Sequence, residues 1–155
     1  MRLSILAVNA RQPAWADAAV DDFLGRLPAD WRVAARTVKA EPRDGRPAAL
    51  VAQREADRLR AAVPGEGVLV ALDETGQEWS SARFAQALAT WRDDGAHPVF
   101  VIGGADGLDP QFKREARLLL RVSSLTLPHA LARVVLAEQL YRGWSMLAGH
   151  PYHRG

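Results

Sequence analysis

Along the chain, short runs of Val, Ile, Leu and Ala alternate with longer stretches in which apolar residues recur every three or four positions. The short runs read as buried strands and the longer stretches as amphipathic helices, and their alternation marks βαβ units around a parallel sheet. Strands are predicted at residues 3–8, 31–38, 68–72, 98–102 and 125–127. A first helix opens at Pro13, with Trp15, Ala19, Phe23 and Leu27 on one stripe expected in the core. A second covers about residues 47–62, after Glu41-Pro42-Arg43-Asp44-Gly45-Arg46, whose proline, glycine and charges predict a mobile surface segment. Ser80 or Ser81 caps a third helix, which carries Phe84, Leu88 and Trp91 and ends before Gly95. Asp109-Pro110 opens a fourth that ends near Leu120, and Pro128 precedes a fifth at residues 129–147. This last helix is apolar around more than half its circumference, more than one side of one sheet can cover, so a symmetric dimer contact is expected. With no repeat, low-complexity tract or linker, the pattern predicts one α/β domain over residues 1–155.

Composition narrows the class. A chain with 48% hydrophobic and 25% charged residues has the balance of a globular protein, which excludes disorder and fibrous repeats. The absence of cysteine excludes a disulfide scaffold, a Cys-based zinc or iron–sulfur site and a thiolate nucleophile, and fits a reducing, cytoplasmic setting. The first apolar run is too short for a signal peptide, and none approaches the ~20 residues of a membrane span. Residues 110–155 hold seven Lys/Arg against two Glu, while the remainder carries 13 against 16. Such a basic third predicts one surface for a polyanion, although solvated helix faces carry similar charge.

In open parallel sheets, ligands bind outside the carboxyl ends of the strands. Three predicted ends run into polar sequence: Leu72 into Asp73-Glu74-Thr75-Gly76, Ile102 into Gly103-Gly104-Ala105-Asp106-Gly107, and Leu127 into Pro128-His129. The glycine loop is neither GxGxxG nor a Walker loop, and by itself such a loop is more often a tight turn than a cofactor cradle; a ligand there would be held by backbone groups, since no lysine clamp is present. On the last helix His129, Arg133, Glu138 and Arg142 interrupt the apolar pattern, with a Glu138–Arg142 ion pair as the structural alternative to function. Beyond it, His150-Pro151-Tyr152-His153-Arg154 is an odd composition for a frayed end, being rich in groups that stack, move protons and bind phosphate.

Read together, Leu125-Thr126-Leu127-Pro128-His129-Ala130-Leu131-Ala132-Arg133-Val134-Val135-Leu136-Ala137-Glu138-Gln139-Leu140-Tyr141-Arg142 and His150-Pro151-Tyr152-His153-Arg154 closely resemble the RlmH family of ribosomal RNA methyltransferases. The likeness spans the whole chain and includes Leu6-Ala7-Val8, Leu72-Asp73 and Ile102-Gly103-Gly104. It departs at Asn9-Ala10-Arg11, where many relatives carry Gly-Lys, and places Gly143 inside the last helix at roughly 0.5–1 kcal/mol relative to alanine. What the resemblance implies is a SPOUT-type α/β knot whose C-terminal segment threads a loop, and an obligate homodimer with active sites at the interface. It further implies S-adenosylmethionine as cofactor, held by Leu72, Gly103, Gly104, Val122, Ser123, Ser124, Leu125, Thr126 and Leu127. The implied reaction is methylation of N3 of a pseudouridine in 23S ribosomal RNA, with the ribosome as partner and neither membrane nor DNA involved.

Such a transfer needs the acceptor nitrogen in line with the departing sulfur and a group to take the imide proton. His129 and His153 are candidates for the proton, Arg133, Arg142 and Arg154 for phosphate or a developing oxyanion, and Tyr152 for stacking. Two rivals differ in class. A non-catalytic ribosome-binding factor would bind ribosomes without the cofactor, and a nucleotide-dependent oxidoreductase is disfavoured by the missing GxGxxG.

Overall fold

The computed structural model describes residues 1–9 and 13–154. Ala10 and Arg11, part of the departure noted above, and Gly155 lie outside them. Five parallel strands form one sheet: β1 (Arg2–Asn9), β2 (Arg32–Lys39), β3 (Gly67–Glu78), β4 (His97–Ile102) and β5 (Leu118–Arg121), in the order β2-β1-β4-β3-β5. Helices α1 (Ala14–Gly25), α2 (Ala48–Ala62), α3 (Ser81–Asp93), α4 (Pro110–Glu115) and α5 (His129–Ala148) complete the fold, and a 3₁₀ turn, Pro151–His153, follows.

Strand alternation sends neighbouring side chains to opposite faces and so divides the core. Leu3, Ile5, Phe100 and Ile102 meet Phe84, Leu88, Leu136 and Leu140 on the face covered by α3 and α5, with Leu24 and Leu27 of the α1 region beside them. Leu6, Val8, Val99 and Val101 meet Ala56, Leu59 and Phe112 on the face covered by α2 and α4. Both faces are therefore dry over the central strands, as a parallel sheet requires.

The caps fall where the sequence puts them: the Ser80 hydroxyl accepts from the Arg83 N–H at 3.1 Å, and the Asp109 carboxylate from the Phe112 N–H at 3.1 Å. Gly143, costly inside a helix, allows α5 to approach α3, since a Cβ there would lie 2.6 Å from Leu88 Cδ1. Three expectations change. Trp15 is 55% exposed, and Ala16 and Val20 face the core instead. Residues four apart drift about 40° around a helix per step, so a stripe from Trp15 to Leu27 cannot stay on one buried line. The fourth helix stops at Glu115, because Ala116 is already extended at ψ 138, and residues 118–121 form the fifth strand. Residues 125–127 form no strand: β5 has taken the open edge of β3 that they would have needed. The segment after Lys39 is exposed but pinned, with Arg43 bonded to Asp106 at 2.8 Å and Glu41 bonded to Arg46 and Arg58.

At the amino end of the central strands, the His97 ring nitrogen Nε2 lies 2.7 Å from the hydroxyl of buried Ser4. Desolvation, with Arg2 nearby, pushes the His97 imidazole below its ordinary value of 6.5. The unfolded chain therefore takes up this proton more readily, and stability contributed above pH 6.5 is lost as pH falls through that value. In urea titrations at pH 7.5 and 5.5, the wild type is expected to lose more stability on acidification than His97→Gln, and equal losses would remove His97 as the cause.

Candidate active site at the strand ends

A cavity of about 460 Å³ opens at the carboxyl ends of β3, β4 and β5, within the size range of small-molecule sites. Its apolar floor is Leu72, Ile102, Leu108 and Leu120, while Asp73, Glu74 and Asp106 rim it. The loop from Val122 to Leu127 and the first turn of α5, with His129 and Ala132, close the remaining side. A break in β3 shapes this mouth. Leu120 pairs with both Leu72 and Gln77, so residues 73–76 are looped out of the ladder. Asp73 holds the excursion by accepting from the Thr75 N–H at 3.1 Å and from its hydroxyl, and Lys113 approaches at 3.5 Å. Partial burial raises the Asp73 carboxyl, but the Thr75 bonds and the Lys113 charge outweigh it and hold the group below its ordinary value.

Of the nine residues expected to hold a cofactor, Leu72, Gly103, Val122, Ser123, Leu125, Thr126 and Leu127 line this cavity. Gly104 and Ser124 do not: a Cβ on Gly104 would point at the buried Glu55, 2.8 Å from its Oε1, and Ser124 is exposed. The six residues proposed for chemistry separate. His129 is at the cavity. Arg133 is 7% exposed and ion-paired with Asp17 of α1, so burial rather than phosphate accounts for its charge. Arg142 donates to Glu138 at 2.8 Å and stacks on the Tyr152 ring at 5.1 Å.

The tail is docked. The Tyr152 hydroxyl donates to Glu138 at 3.0 Å, its ring lies 4.6 Å from that of Tyr141, and His153 Nδ1 is 3.2 Å from the Ser145 hydroxyl. Burial, and then the bond to Glu138, push the Tyr152 phenol up, so it stays a neutral donor at physiological pH. Arg154 is exposed beyond the turn and makes no ion pair among the described residues. Four of the seven basic residues in the last third are neutralised by ion pairs. Lys113, Arg121, Arg133 and Arg142 pair with Asp73, Glu78, Asp17 and Glu138 respectively.

The family model described as "Predicted SPOUT methyltransferase" matches residues 1–153. The chain belongs to the SPOUT methyltransferase family. It is 52% identical over 155 residues to "Ribosomal RNA large subunit methyltransferase H" of Burkholderia thailandensis and 50% identical to the protein of that name from Paraburkholderia xenovorans, covering 99% of each chain in both cases. The crystal structure of TrmJ from Z. mobilis ZM4 shares the fold, with a TM-score of 0.54 at 19% identity over 92% of this chain and 70% of that one. Strand order and the return of α5 across the sheet are consistent with the knotted SPOUT architecture. The methyl donor of SPOUT enzymes is S-adenosylmethionine, and the cavity suits it in size and in its apolar floor, with Glu74 and Arg121 at the rim beside Asp73 and Asp106, which pair with Lys113 and Arg43.

Sequence reasoning passed over Gly76, which this SPOUT fold needs at the break in β3. A Cβ there would stand 2.7 Å from the backbone of Leu119 and Leu120, the strand that forms the cavity wall. Gly76→Ala is therefore expected to lower stability by roughly 1–3 kcal/mol in urea titrations, as overpacking against backbone does. An unchanged midpoint would mean that β3 and β5 part freely at the cavity.

Proposed function

We propose that this protein transfers a methyl group from S-adenosylmethionine to N3 of a pseudouridine in 23S ribosomal RNA, acting on the ribosome in the cytoplasm as a homodimer. The supporting observation is a ligand-sized cavity at the strand ends of a chain half identical, end to end, to ribosomal RNA large subunit methyltransferases. A non-catalytic ribosome-binding factor is not favoured, because those relatives carry the name of an enzyme and the cavity has the size of a small-molecule site.

When bound, the cofactor supplies a methyl group whose sulfur leaves as a neutral thioether with the C–S electron pair. Leu72, Gly103, Val122, Ser123, Leu125, Thr126 and Leu127, which line the cavity, would hold it. The acceptor N3 forms its bond to carbon as its proton passes to a histidine, and positioning contributes most of the rate. Tyr152 stacks on the base, and Arg154 contacts phosphate.

Both polar clusters cannot serve one reaction within one chain. The tail docks at Glu138 and Ser145, nine and sixteen residues beyond His129 on an unbroken helix, roughly 14 and 24 Å along its axis. A two-fold pairing of antiparallel α5 helices brings the partner's tail to this chain's cavity. The exposed large apolar side chains point the same way: Trp15, Leu125, Leu131 and Leu147 all lie on α1, on α5 or in the loop leading to it. Among the described residues, no helix is long and apolar enough to cross a membrane.

Mixed dimers test this reading. Gly103→Val chains and chains lacking residues 150–155 should each sediment as dimers, with methylation at least tenfold below the wild type, equivalent to about 1.4 kcal/mol of transition-state stabilisation. Mixing them should restore about a quarter of the wild-type rate, since half the dimers are mixed and each has one complete site. No recovery in mixed dimers would place cavity and tail in the same chain, and full activity of a monomer would end the dimer reading.

A further inference from the structure

Ser145 is the one serine of α5 and is fully buried in a helix whose inward positions are otherwise mostly apolar. Its polar atoms grip the tail at two points. Its carbonyl accepts the N–H groups of Gly149 and, at 2.8 Å, of His150, closing the helix where Gly149 adopts a left-handed φ of 69°. Its hydroxyl lies 2.9 Å from the Arg142 carbonyl oxygen and 3.2 Å from His153 Nδ1. A helix terminus and a catalytic candidate are thus tied to a single residue.

Proton accounting at this hydroxyl has one favourable solution. A carbonyl oxygen cannot donate, so the 2.9 Å approach of Oγ to the Arg142 oxygen is attractive only if the hydroxyl hydrogen lies between them. Were that hydrogen turned toward His153, two oxygen lone pairs would face each other at this distance inside the fold. With its only proton committed, Ser145 can meet Nδ1 solely as an acceptor, so Nδ1 carries the hydrogen. Among the described residues Nε2 of His153 has no hydrogen-bond partner, and in the neutral ring it then holds the free lone pair.

We propose that Ser145 is a positioning residue for methyl transfer: it fixes His153 as the Nδ1–H tautomer and so presents Nε2 as the acceptor of the imide proton. This rests on the proposed function, with His153 rather than His129 as the histidine that takes the proton. The proton leaves the acceptor nitrogen for Nε2 as the nitrogen–methyl bond forms, and the ring becomes an imidazolium whose Nδ1–H remains bonded to the serine. A residue in this role resembles the orienting partner of any catalytic histidine, where the wrong tautomer keeps the geometry but loses the base.

Two-bond ¹H–¹⁵N correlation spectra of the full-length protein above neutral pH report the His153 tautomer directly, with His153→Ala identifying its signals. The wild type should show the Nδ1–H pattern, Ser145→Ala should lose it in favour of Nε2–H, and Ser145→Thr, which keeps the hydroxyl, should retain it. Steady-state rates should follow the tautomer: kcat about tenfold or more lower in Ser145→Ala, near wild type in Ser145→Thr, with the KM for S-adenosylmethionine and the sedimentation coefficient unchanged. An Nε2–H pattern in the wild type, or a wild-type rate in Ser145→Ala beside an impaired His153→Ala, overturns the assignment of Ser145. A wild-type rate in His153→Ala instead removes the base itself, and with it the role proposed for Ser145.

Discussion

Burial of Leu136 and Leu140 against Phe84, Leu88 and Phe100 fixes a twenty-residue helix across one face of the sheet, and the arrangement of polar groups follows from that helix being continuous. Its first turn closes the cavity at the strand ends, while its last turns receive the tail. Gly143 lets it sit close to α3, and the Arg133–Asp17 pair ties it to α1. Because a packed helix behaves as a rod, the His129 end and the Tyr152–His153 end cannot approach each other without unfolding the core. The proposed dimer is the arrangement that would bring the two ends together around that separation.

The cavity owes its form to a local compromise in the sheet. A strand that paired regularly from Gly67 to Glu78 would leave no room at its carboxyl end; looping out residues 73–76 opens the mouth and turns Asp73 and Glu74 toward it. The excursion keeps its backbone groups satisfied through Thr75 and Asp73, and it tolerates the close return to β5 only because residue 76 lacks a side chain.

Much of the fold is legible in the sequence because its signals are local. Ser80 and Asp109-Pro110 mark helix starts through capping chemistry, and Pro128 through its fixed φ, none of which needs a tertiary partner, and the four longer strands carry enough apolar residues to be read alone. Leu118–Arg121 was hidden because four residues following a helix continue its apolar period, while Leu125-Thr126-Leu127 alternates like a strand yet finds the edge of β3 already taken by β5. At the site, the strand-end rule leads to Leu72 and Gly103. Distant pairing is what it cannot reach: Asp17 lies 116 residues from the Arg133 it neutralises, and nothing near Gly104 signals that it faces Glu55. Ser145 gives no sequence signal at all, since its importance lies in which atoms surround one hydroxyl.

The central claim is that one copy's tail completes the other copy's cavity. The absence of cysteine allows a direct distance test, with a thiol placed at exposed Leu125 beside the cavity and another at exposed Arg154 in the tail. Treating a mixture of Leu125→Cys chains and Arg154→Cys chains with a short bismaleimide should yield a covalent heterodimer on a denaturing gel, at protein concentrations where a cysteine-free control yields none. If the mixed product is absent while the doubly substituted chain forms only an internal link, cavity and tail meet within one copy and the account is wrong.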